Sequence, residues 1–383
     1  MYSEQFEAMR PYADDEVPKA VERILQQDIF AVILDYLYPQ WTASALRQKM
    51  LSITSVDEFQ HFFSGYAVQT LIRNTSDGFA HDGLQHLSKE QPYLFIANHR
   101  DIVLDSAIMQ WLLQEHGFPT SQITFGSNLM SAPWIVDLGK LNKMFTFYRS
   151  GSKMDAYRHA LLHSAYIRNV LTVQKESVWI AQRDGRTKDG NDRTQPALLK
   201  MLLSKKENRI TSLRELNIVP VITSYEHEPC DLLKAKELYA RQQPGSLYTK
   251  TPDEDFNSVV HGLLDAKGRI TMRFGTPINQ WLDANPSVSE LKYDTFILAL
   301  CNEIDRQMYT HYELYPYHYT AYDLQHKSNR FSGNLYQKED VSRFREFLHG
   351  KTSEPALLHL LTSMYANPVT NRLRAAEENR DVV

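Results

Sequence analysis

The sequence predicts an α/β fold: a mainly parallel sheet flanked by helices, with helical extensions at both ends of the chain. Two patterns predict it. From about residue 90 to residue 280, short apolar runs alternate with stretches of helical periodicity. Outside that stretch, apolar residues recur at helical spacing. We therefore expect a helical N-terminal region (1–78), an α/β domain (79–285) and a helical C-terminal region (286–383).

The N-terminal region is predicted to be helical in two places. Val17–Leu37 carries apolar residues at helical spacing and is expected to form one helix, which Pro39 closes. Ser55 and Glu58 have the spacing of a capping box, in which the serine accepts from a backbone N–H three residues later. A second helix is therefore expected to begin after Ser55.

The α/β domain is predicted to alternate strands with helices. The expected strands are Tyr93–Ala97, Gln122–Phe125, Met144–Tyr148, Val178–Ala181, Ile218–Thr223 and Arg269–Phe274. The expected helices are Val103–Glu115, Asp155–Val173 and Pro196–Leu203, followed in the C-terminal region by Tyr293–Tyr309, Val341–Leu348 and Pro355–Tyr365. The charged end, Thr370–Val383, is expected to fray. Such sheets carry their ligand-binding groups on the loops after the carboxyl ends of the strands.

Composition excludes several functional classes. Among 383 residues, 42 Lys and Arg stand against 46 Asp and Glu, a net charge of −4, which argues against a nucleic-acid partner. The chain has 15 glycines and no G-x-G-x-x-G motif, which argues against a dinucleotide-binding fold. The two cysteines, Cys230 and Cys301, cannot form a disulfide framework, so we expect a reducing compartment.

The expected location is the cytoplasm, with peripheral attachment to the inner membrane face as an extension of that expectation. The first residues lack the basic and apolar regions of a signal peptide. No apolar run approaches the ~20 residues that a membrane span requires.

The segment Asn98–Asp105 carries the strongest chemical signal. It follows an apolar strand and opens a helix, which presents His99 on a loop and Asp105 in the first turns of that helix. A carboxylate that accepts from one imidazole nitrogen leaves the other nitrogen free to take a proton from a hydroxyl. A purely structural hydrogen bond is the alternative, because 14 histidines make chance His–Asp pairs common.

Further segments follow in a recognisable order. They are a strand that ends in a cation (Lys143–Arg149), a strand that runs into an arginine-bearing turn (Val178–Thr187), a buried strand with a proline (Ile218–Val221) and a late strand (Arg269–Ile278). With Asn98–Asp105, this series resembles the glycerolipid acyltransferase superfamily, which moves fatty acyl chains onto glycerol phosphate or lysophospholipids. The resemblance covers about residues 80–280.

Each block of that superfamily has a counterpart here. Asn98–Asp105 resembles the histidine–aspartate motif, and the strand ending at Arg149 resembles the second block. Asp184–Arg186 resembles the third block, glutamate-glycine-x-arginine, and Val219–Val221 resembles the fourth. The resemblance implies that His99 is the general base and that Asp105 orients it. It further implies that Arg149 and Arg186 bind the phosphate of the acceptor, for which the planar guanidinium is well suited.

Two departures leave alternatives open. The family places four residues between His and Asp, whereas five lie between His99 and Asp105. One added helical residue rotates a side chain by about 100°, so Asp101 is a second candidate to orient the base. In the third block, Asp184 replaces glutamate and Arg186 follows the glycine directly, which makes Arg183 a competing phosphate ligand.

These residues together define the predicted function. The predicted substrate-binding residues are Arg100, Gly126, Arg149, Arg183, Asp184, Gly185 and Arg186. We expect acyl transfer from a thioester to a hydroxyl of glycerol 3-phosphate or 1-acylglycerol 3-phosphate in phospholipid synthesis. The donor is acyl-CoA or acyl-carrier protein, acting as co-substrate with no further cofactor, and a membrane surface is an additional expected partner. The alternatives are a non-catalytic lipid- or acyl-carrier-binding protein, and an acyltransferase with an aminolipid acceptor.

Other interpretations of individual motifs are weaker. His99–Asp101 matches the start of a protein-kinase catalytic loop, but Ser106 stands where a kinase needs asparagine. His81–His86 and Glu226–Cys230 contain metal-binding residue types without a recognised ligand spacing, so no metal is predicted.

Two local biases in composition have competing explanations. Residues 183–209 hold eight Lys and Arg against four Asp and Glu, which indicates a local basic patch, although Lys200–Arg209 is more simply a solvated helix face. Tyr309–Tyr322 contains six tyrosines. This tract either contacts a bilayer or packs the C-terminal helices onto the core, and we favour packing because no lysine or arginine accompanies it.

Overall fold

One seven-stranded sheet organises the computed structural model, which describes residues 4–149, 151–203 and 209–378. The strands are β1 (Gly78–Asp82), β2 (Leu94–Ala97), β3 (Gln122–Gly126), β4 (Met144–Phe147), β5 (Val178–Ala181), β6 (Ile218–Tyr225) and β7 (Arg269–Phe274). Their order across the sheet is β1-β7-β6-β2-β5-β3-β4. All neighbours are parallel except β6 and β7, which run antiparallel. The predicted α/β fold with a mainly parallel sheet is confirmed.

Helices flank this sheet and form both ends of the described chain. They are α1 (Val17–Ile24), α2 (Asp28–Leu37), α3 (Ala43–Leu51), α4 (Val56–Phe59), α5 (Tyr66–Thr75), α6 (Leu104–Glu115), α7 (Pro133–Leu141), α8 (Lys153–Asn169), α9 (Pro196–Leu202), α10 (Arg209–Leu216), α11 (Asp231–Gln242), α12 (Pro252–Leu264), α13 (Ile278–Ala284), α14 (Tyr293–His311), α15 (Pro316–His326), α16 (Lys338–His349) and α17 (Pro355–Glu378).

The central strands are buried on both faces, which gives the sheet one core on each side. In β2, Leu94 and Ile96 pack into the core that includes α14, whereas Phe95 and Ala97 pack into the core that includes α6. This alternation follows from the two-residue period of a strand. Because apolar side chains fill both faces of the sheet, we expect the polar side chains of a binding site at the edge where the strands end.

Strand β1 was not predicted. Its residues, Gly78–Asp82, are mostly exposed, and Phe79 and Ala80 are too short an apolar run to identify a strand. It is a sheet edge held by parallel pairing with β7.

The prediction of a single helix over Val17–Leu37 is wrong, because the chain turns between α1 and α2. Helix α1 buries Val21 and Ile24, and α2 buries Phe30 and Leu34. In one continuous helix, the six residues from Ile24 to Phe30 would rotate the second apolar stripe by about 240° relative to the first. The turn lets both stripes enter the same N-terminal core.

The helix expected after Ser55 is present. The Ser55 hydroxyl accepts from the backbone N–H of Glu58 at 3.2 Å, and α4 begins at Val56. A π-helical turn over Gln60–Gly65 then connects α4 to α5.

The C-terminal helix is longer than predicted. Expected over Pro355–Tyr365, α17 instead extends to Glu378, so the fraying predicted from Thr370 is wrong as far as the described residues reach. Ala375 is buried in the main core, and the Arg372 guanidinium donates to the carbonyl oxygens of Tyr309 and Tyr312. These contacts hold the helix beyond the predicted end, while residues 379–383 lie outside the described residues.

Candidate active site

The predicted site residues meet at the carboxyl edge of the parallel strands. His99 follows β2, Gly126 ends β3, Arg149 follows β4 and the loop 182–195 follows β5. Because β2, β5, β3 and β4 are successive parallel neighbours, their carboxyl ends open at the same edge.

The Asp105 carboxylate lies beside His99. Its Oδ2 atom is 3.1 Å from Nδ1 of His99. The same oxygen accepts from the backbone N–H groups of Arg100 at 2.6 Å and Asp101 at 2.8 Å. The carboxylate is fully buried, whereas the His99 side chain keeps 14% of its surface exposed. Three donors therefore fix one carboxylate oxygen directly behind an accessible imidazole.

A non-helical turn absorbs the additional residue between His99 and Asp105. Helix α6 begins only at Leu104, so residues 99–103 lie outside the helix. Asp101 stabilises this turn, because its Oδ1 atom accepts from the N–H groups of Val103 and Leu104, both at 2.8 Å. Asp101 thus caps the turn, and Asp105 is the carboxylate within reach of the imidazole.

Tyr225 holds the second oxygen of Asp105. Its hydroxyl donates to Oδ1 at 2.9 Å from the end of β6. Burial, and then the negative charge of Asp105, raise the pKa of Tyr225 well above its usual value. The phenol therefore remains a donor. Sequence reasoning missed this residue because the predicted strand stopped at Thr223, although a tyrosine at the end of a buried strand is a signal for a hydrogen-bonding partner.

An aromatic side chain also packs against the His99 ring. Trp179 packs against it edge-to-face, with ring centroids 5.6 Å apart. The backbone N–H of Thr187 donates to the carbonyl oxygen of His99 at 2.7 Å and ties its loop to loop 182–195. Among the described residues, Asp105 is the only side chain that hydrogen-bonds the ring. With Nδ1 facing Asp105, Nε2 is the nitrogen available to a substrate.

The prediction that Arg100 contacts substrate does not agree with its position. Its side chain is buried, with Nη2 2.6 Å from Asp192 and Nη1 2.8 Å from Glu228. Nη2 also lies 3.3 Å from the Gly190 carbonyl oxygen. Two carboxylates enclose the guanidinium and compensate its charge inside the protein. Arg100 therefore lies beneath the site and does not form part of its accessible surface.

Four other predicted residues lie together on the accessible side. Arg149 is 36% exposed and pairs with Asp184 at 2.9 Å between Nη1 and Oδ1. Gly126 lies beside them: a Cβ atom at this position would come within 3.1 Å of Nε of Arg149. Gly185, next to Asp184, has φ of +72°, which favours glycine and explains why the turn carries one.

His163 anchors the strand end that carries Arg149. Its Nε2 accepts from the backbone N–H of Tyr148 at 3.0 Å, and its ring stacks on Phe147 at 3.8 Å between centroids. Burial, and then the neighbouring His159, lower the pKa of His163 to about 4, so the ring is a neutral acceptor.

Within the described ranges, Arg186 and Arg183 each carry a buried guanidinium nitrogen without a hydrogen-bond partner. Arg186 is 7% exposed, and its buried Nη1 has no hydrogen-bond partner in the described residues. The Nε atom of Arg183 is likewise buried and unpaired there. A buried, unpaired guanidinium nitrogen is unfavourable unless an anion or water completes it. Both arginines therefore remain candidates for an anionic ligand.

A cysteine lies beside Arg186 but is not activated. Burial raises the pKa of the Cys230 thiol to about 11, with Asp101 as the next contribution. The Sγ atom donates to the carbonyl oxygen of Ser258 at 3.0 Å. A protonated, buried thiol is a poor nucleophile, so the chemistry of the site rests on His99.

The basic stretch 183–209 is only partly described, because Lys205 and Lys206 lie outside the described residues. Lys200 pairs with Asp294 at 2.7 Å, and the Arg209 guanidinium donates to two backbone carbonyl oxygens. In the described part, these distal cations have structural partners.

The candidate metal ligands have other contacts. Glu226 pairs with Arg269 at 2.8 Å, and His227 packs against the rings of Tyr317 and Phe347. His81 packs edge-on against His116, with ring centroids 4.7 Å apart. In the described ranges, no group of three or more such side chains is arranged to hold a metal ion.

The tyrosine tract Tyr309–Tyr322 packs inward, as favoured. Tyr309, Tyr312 and Tyr315 are buried. The Tyr309 hydroxyl donates to the Asp192 carbonyl oxygen at 2.5 Å, which ties α14 to loop 182–195. The tract therefore packs against the loop that carries Asp192, on the inner side of the site.

Comparison with known proteins gives one family match. Residues 79–220 match the family model described as Acyltransferase. This segment of the chain is similar to that family. The match confirms the resemblance to glycerolipid acyltransferases, and it spans β1 to the start of β6, with His99, Asp105 and the arginine-bearing loop inside it.

The remaining comparisons add little to this assignment. No curated protein matches the chain. Four chains of solved structures match, among them the 1-acyl-sn-glycerophosphate (LPA) acyltransferase PlsC from Thermotoga maritima. That match has 11% identity and a TM-score of 0.34, and it covers 76% of this chain and 93% of that one. A likeness of this size supports no residue-level comparison.

One residue of the site lies outside the matched segment. Tyr225, which donates to Asp105, follows residue 220. Among the described helices, none is both long and apolar enough to cross a bilayer.

Proposed function

We propose that this acyltransferase transfers a fatty acyl group from a thioester to a hydroxyl of glycerol 3-phosphate or 1-acylglycerol 3-phosphate. The observation that carries the proposal is the contact between Asp105 and Nδ1 of His99, which leaves Nε2 of this partly exposed ring without a hydrogen-bond partner among the described residues. A glycerol hydroxyl is a weak nucleophile at neutral pH and needs such a base.

His99 serves both halves of the reaction in this proposal. Nε2 removes the hydroxyl proton as the oxygen bonds to the thioester carbonyl carbon. The carbon–sulfur bond of the tetrahedral intermediate then breaks, and the thiolate takes the proton from Nε2. The products are an ester and a free thiol, and the imidazole returns to its starting state. Asp105 stabilises the imidazolium between the two steps, as a buried carboxylate does in other base-assisted acyl transfers.

The phosphate of the acceptor is assigned to the arginines of the same edge. Arg186 offers a buried Nη1 without a partner in the described residues, and Arg183 offers Nε. Arg149 is the more exposed of the three cations and already pairs with Asp184. We infer that Arg186 is the main phosphate ligand, because an anion would satisfy a group that the protein leaves unpaired.

A donor and acceptor panel tests the proposal. The purified protein is incubated with acyl-CoA and with acylated carrier protein, each against glycerol 3-phosphate, 1-acylglycerol 3-phosphate, an aminolipid precursor and a phosphate-free diol, and the products are read by mass spectrometry. An acylated glycerol phosphate supports the proposal. Transfer only to the aminolipid precursor contradicts the acceptor assignment. Binding of the donor without transfer to any acceptor points to a lipid- or carrier-binding protein instead.

A further inference from the structure

Arg100 is a fully enclosed cation beside the candidate site. Its guanidinium donates to Asp192 through Nε at 3.1 Å and Nη2 at 2.6 Å, and to Glu228 through Nη1 at 2.8 Å. The ring of Tyr312 covers it, with the guanidinium carbon 4.9 Å from the ring centroid. Burial would lower the pKa of Arg100, but attraction to Asp192 and Glu228 outweighs it and raises the pKa well above its usual value.

The backbone of Arg100 is part of the His99–Asp105 pair. Its N–H donates to Oδ2 of Asp105, the same atom that faces the imidazole. Its carbonyl oxygen accepts from Nζ of Lys234 at 2.6 Å, and Lys234 also pairs with Glu228 at 2.5 Å. One residue is thus held through its side chain, its N–H and its carbonyl oxygen.

Asp192 links the loop that carries His99 to the loop 182–195. Besides Arg100, it accepts from the Asn98 side chain at 3.3 Å and from the Thr187 hydroxyl at 2.6 Å. The N–H of Thr187 in turn donates to the carbonyl oxygen of His99. The residues immediately before and after His99 are therefore both fixed to one carboxylate.

Helices of the C-terminal region close the network. The Tyr309 hydroxyl of α14 donates to the backbone of Asp192, and the Tyr365 hydroxyl of α17 accepts from the N–H of Glu228 at 3.0 Å. Gly190 meets α17 so closely that a Cβ atom there would lie 2.0 Å from the Met364 carbonyl oxygen. A network with such contacts has one arrangement rather than several.

We propose that Arg100, clamped between Asp192 and Glu228, is a positioning residue for the His99–Asp105 pair. Its fixed side chain sets the direction of its own N–H, and that N–H holds Asp105 Oδ2 against Nδ1 of His99. The turn that accommodates the five intervening residues depends on this clamp, because residues 99–103 precede helix α6, which begins only at Leu104. The expected effect on the reaction rate rests on the proposed function, whereas the expected effect on the His99 tautomer does not.

The structural consequence is measured without turnover. Histidine labelled with ¹⁵N in the ring is incorporated into wild type and Asp192→Asn, and the His99 signals are assigned by their loss in His99→Gln. An imidazole whose Nδ1–H is held by a carboxylate shows the Nδ1-protonated tautomer. We expect this tautomer to dominate in the wild type and to lose population in Asp192→Asn. Asp137→Asn is the matched control, because Asp137 is equally buried and accepts from Arg23 and Tyr12 in the N-terminal region.

Kinetics then measure the catalytic consequence on folded protein. We expect Asp192→Asn to lower kcat by about tenfold or more with the acceptor KM unchanged, because small displacements of a base are costly for rate. Asp137→Asn should leave both parameters unchanged. If Asp192→Asn does not fold, Glu228→Gln removes the other partner of the guanidinium and should have the same two effects.

The outcomes separate the two proposals. A wild-type tautomer population in folded Asp192→Asn or Glu228→Gln overturns the positioning role, as does a wild type that lacks the Nδ1-protonated form. A tautomer shift in an enzyme that acylates no acceptor supports the positioning role while contradicting the proposed function. An equal change in Asp137→Asn assigns the effect to general destabilisation and overturns the inference.

Discussion

Oδ2 of Asp105 lies 3.1 Å from Nδ1 of His99, although five residues separate them where the glycerolipid acyltransferases have four. Two successive backbone N–H groups, those of Arg100 and Asp101, bind the same oxygen. The pair is therefore set by a turn that wraps around the carboxylate rather than by helical register. An added residue in this turn changes the path of the backbone without separating the two side chains.

Asp105→Asn is expected to lower kcat by about 10²- to 10⁴-fold in steady-state acyl transfer, because an amide cannot serve all the donors that share the carboxylate and favours the wrong imidazole tautomer. Asp101→Asn is the comparison, since its retained oxygen can still accept from Val103 and Leu104. We expect less than about a threefold effect there. The reverse order of effects would make Asp101 the orienting residue.

Tyr225→Phe is expected to lower the free energy of unfolding by about 1.5–3 kcal/mol and to lower kcat, because a hydrogen bond to a buried carboxylate is lost. Tyr93→Phe provides a control: Tyr93 is also buried, and its hydroxyl accepts from the Ser88 N–H away from the site. Urea unfolding and steady-state rates are measured for both. If the two variants change kcat equally, Tyr225 has no special relation to Asp105.

Arg186→Ala is expected to raise the KM for a phosphate-bearing acceptor by about tenfold or more, the value of one charge-assisted hydrogen bond. The KM for the thioester should stay unchanged. Arg214→Ala removes an exposed cation that pairs with Asp283 and should change neither constant. An equal loss with a phosphate-free diol would show that Arg186 does not bind phosphate.

Asp305 is expected to make stability depend on pH. Burial raises its pKa from 3.8 to about 6, although Thr194 donates to it from both its N–H and its hydroxyl. The folded protein therefore binds more protons than the unfolded chain between pH 4 and 6, and its stability falls as the pH rises through that window.

The matched measurement is the free energy of urea unfolding of wild type and Asp305→Asn at several pH values. Asparagine keeps an acceptor for Thr194 and removes the charge. The variant should gain about 1–3 kcal/mol relative to wild type between pH 4 and 7. Asp253→Asn, which alters an exposed carboxylate, should show no such gain. A constant difference between Asp305→Asn and wild type would contradict the assignment.

The sequence predicted the sheet where strands were apolar and failed where they were not. Strand β5, Val178–Ala181, is buried along its whole length and was placed correctly. Strand β1 is an exposed edge whose residues carry no apolar run, so its pairing with β7 could not be foreseen. The break between α1 and α2 was missed because each helix has a regular apolar period of its own. Only the change in angular position between the two apolar stripes indicates that the helix is interrupted.

The site shows the same division between local and distant information. His99 and Asp105 are six positions apart and were paired from the sequence, whereas Arg100 was expected to bind substrate. Its partners, Asp192 and Glu228, lie 92 and 128 residues away, so only the fold shows that its charge is compensated internally. Tyr225 was missed for a similar reason, since its contact with Asp105 spans 120 residues.

The most direct test of the central claim is the acyl-transfer rate of purified His99→Ala with the donor and acceptor that the wild type uses, read by mass spectrometry of the ester product. The protein must first be shown to be folded by circular dichroism and by an unfolding midpoint close to that of the wild type. The proposed mechanism predicts a loss of about 10²-fold or more, the usual contribution of a general base. A folded His99→Ala protein that retains wild-type turnover would contradict it.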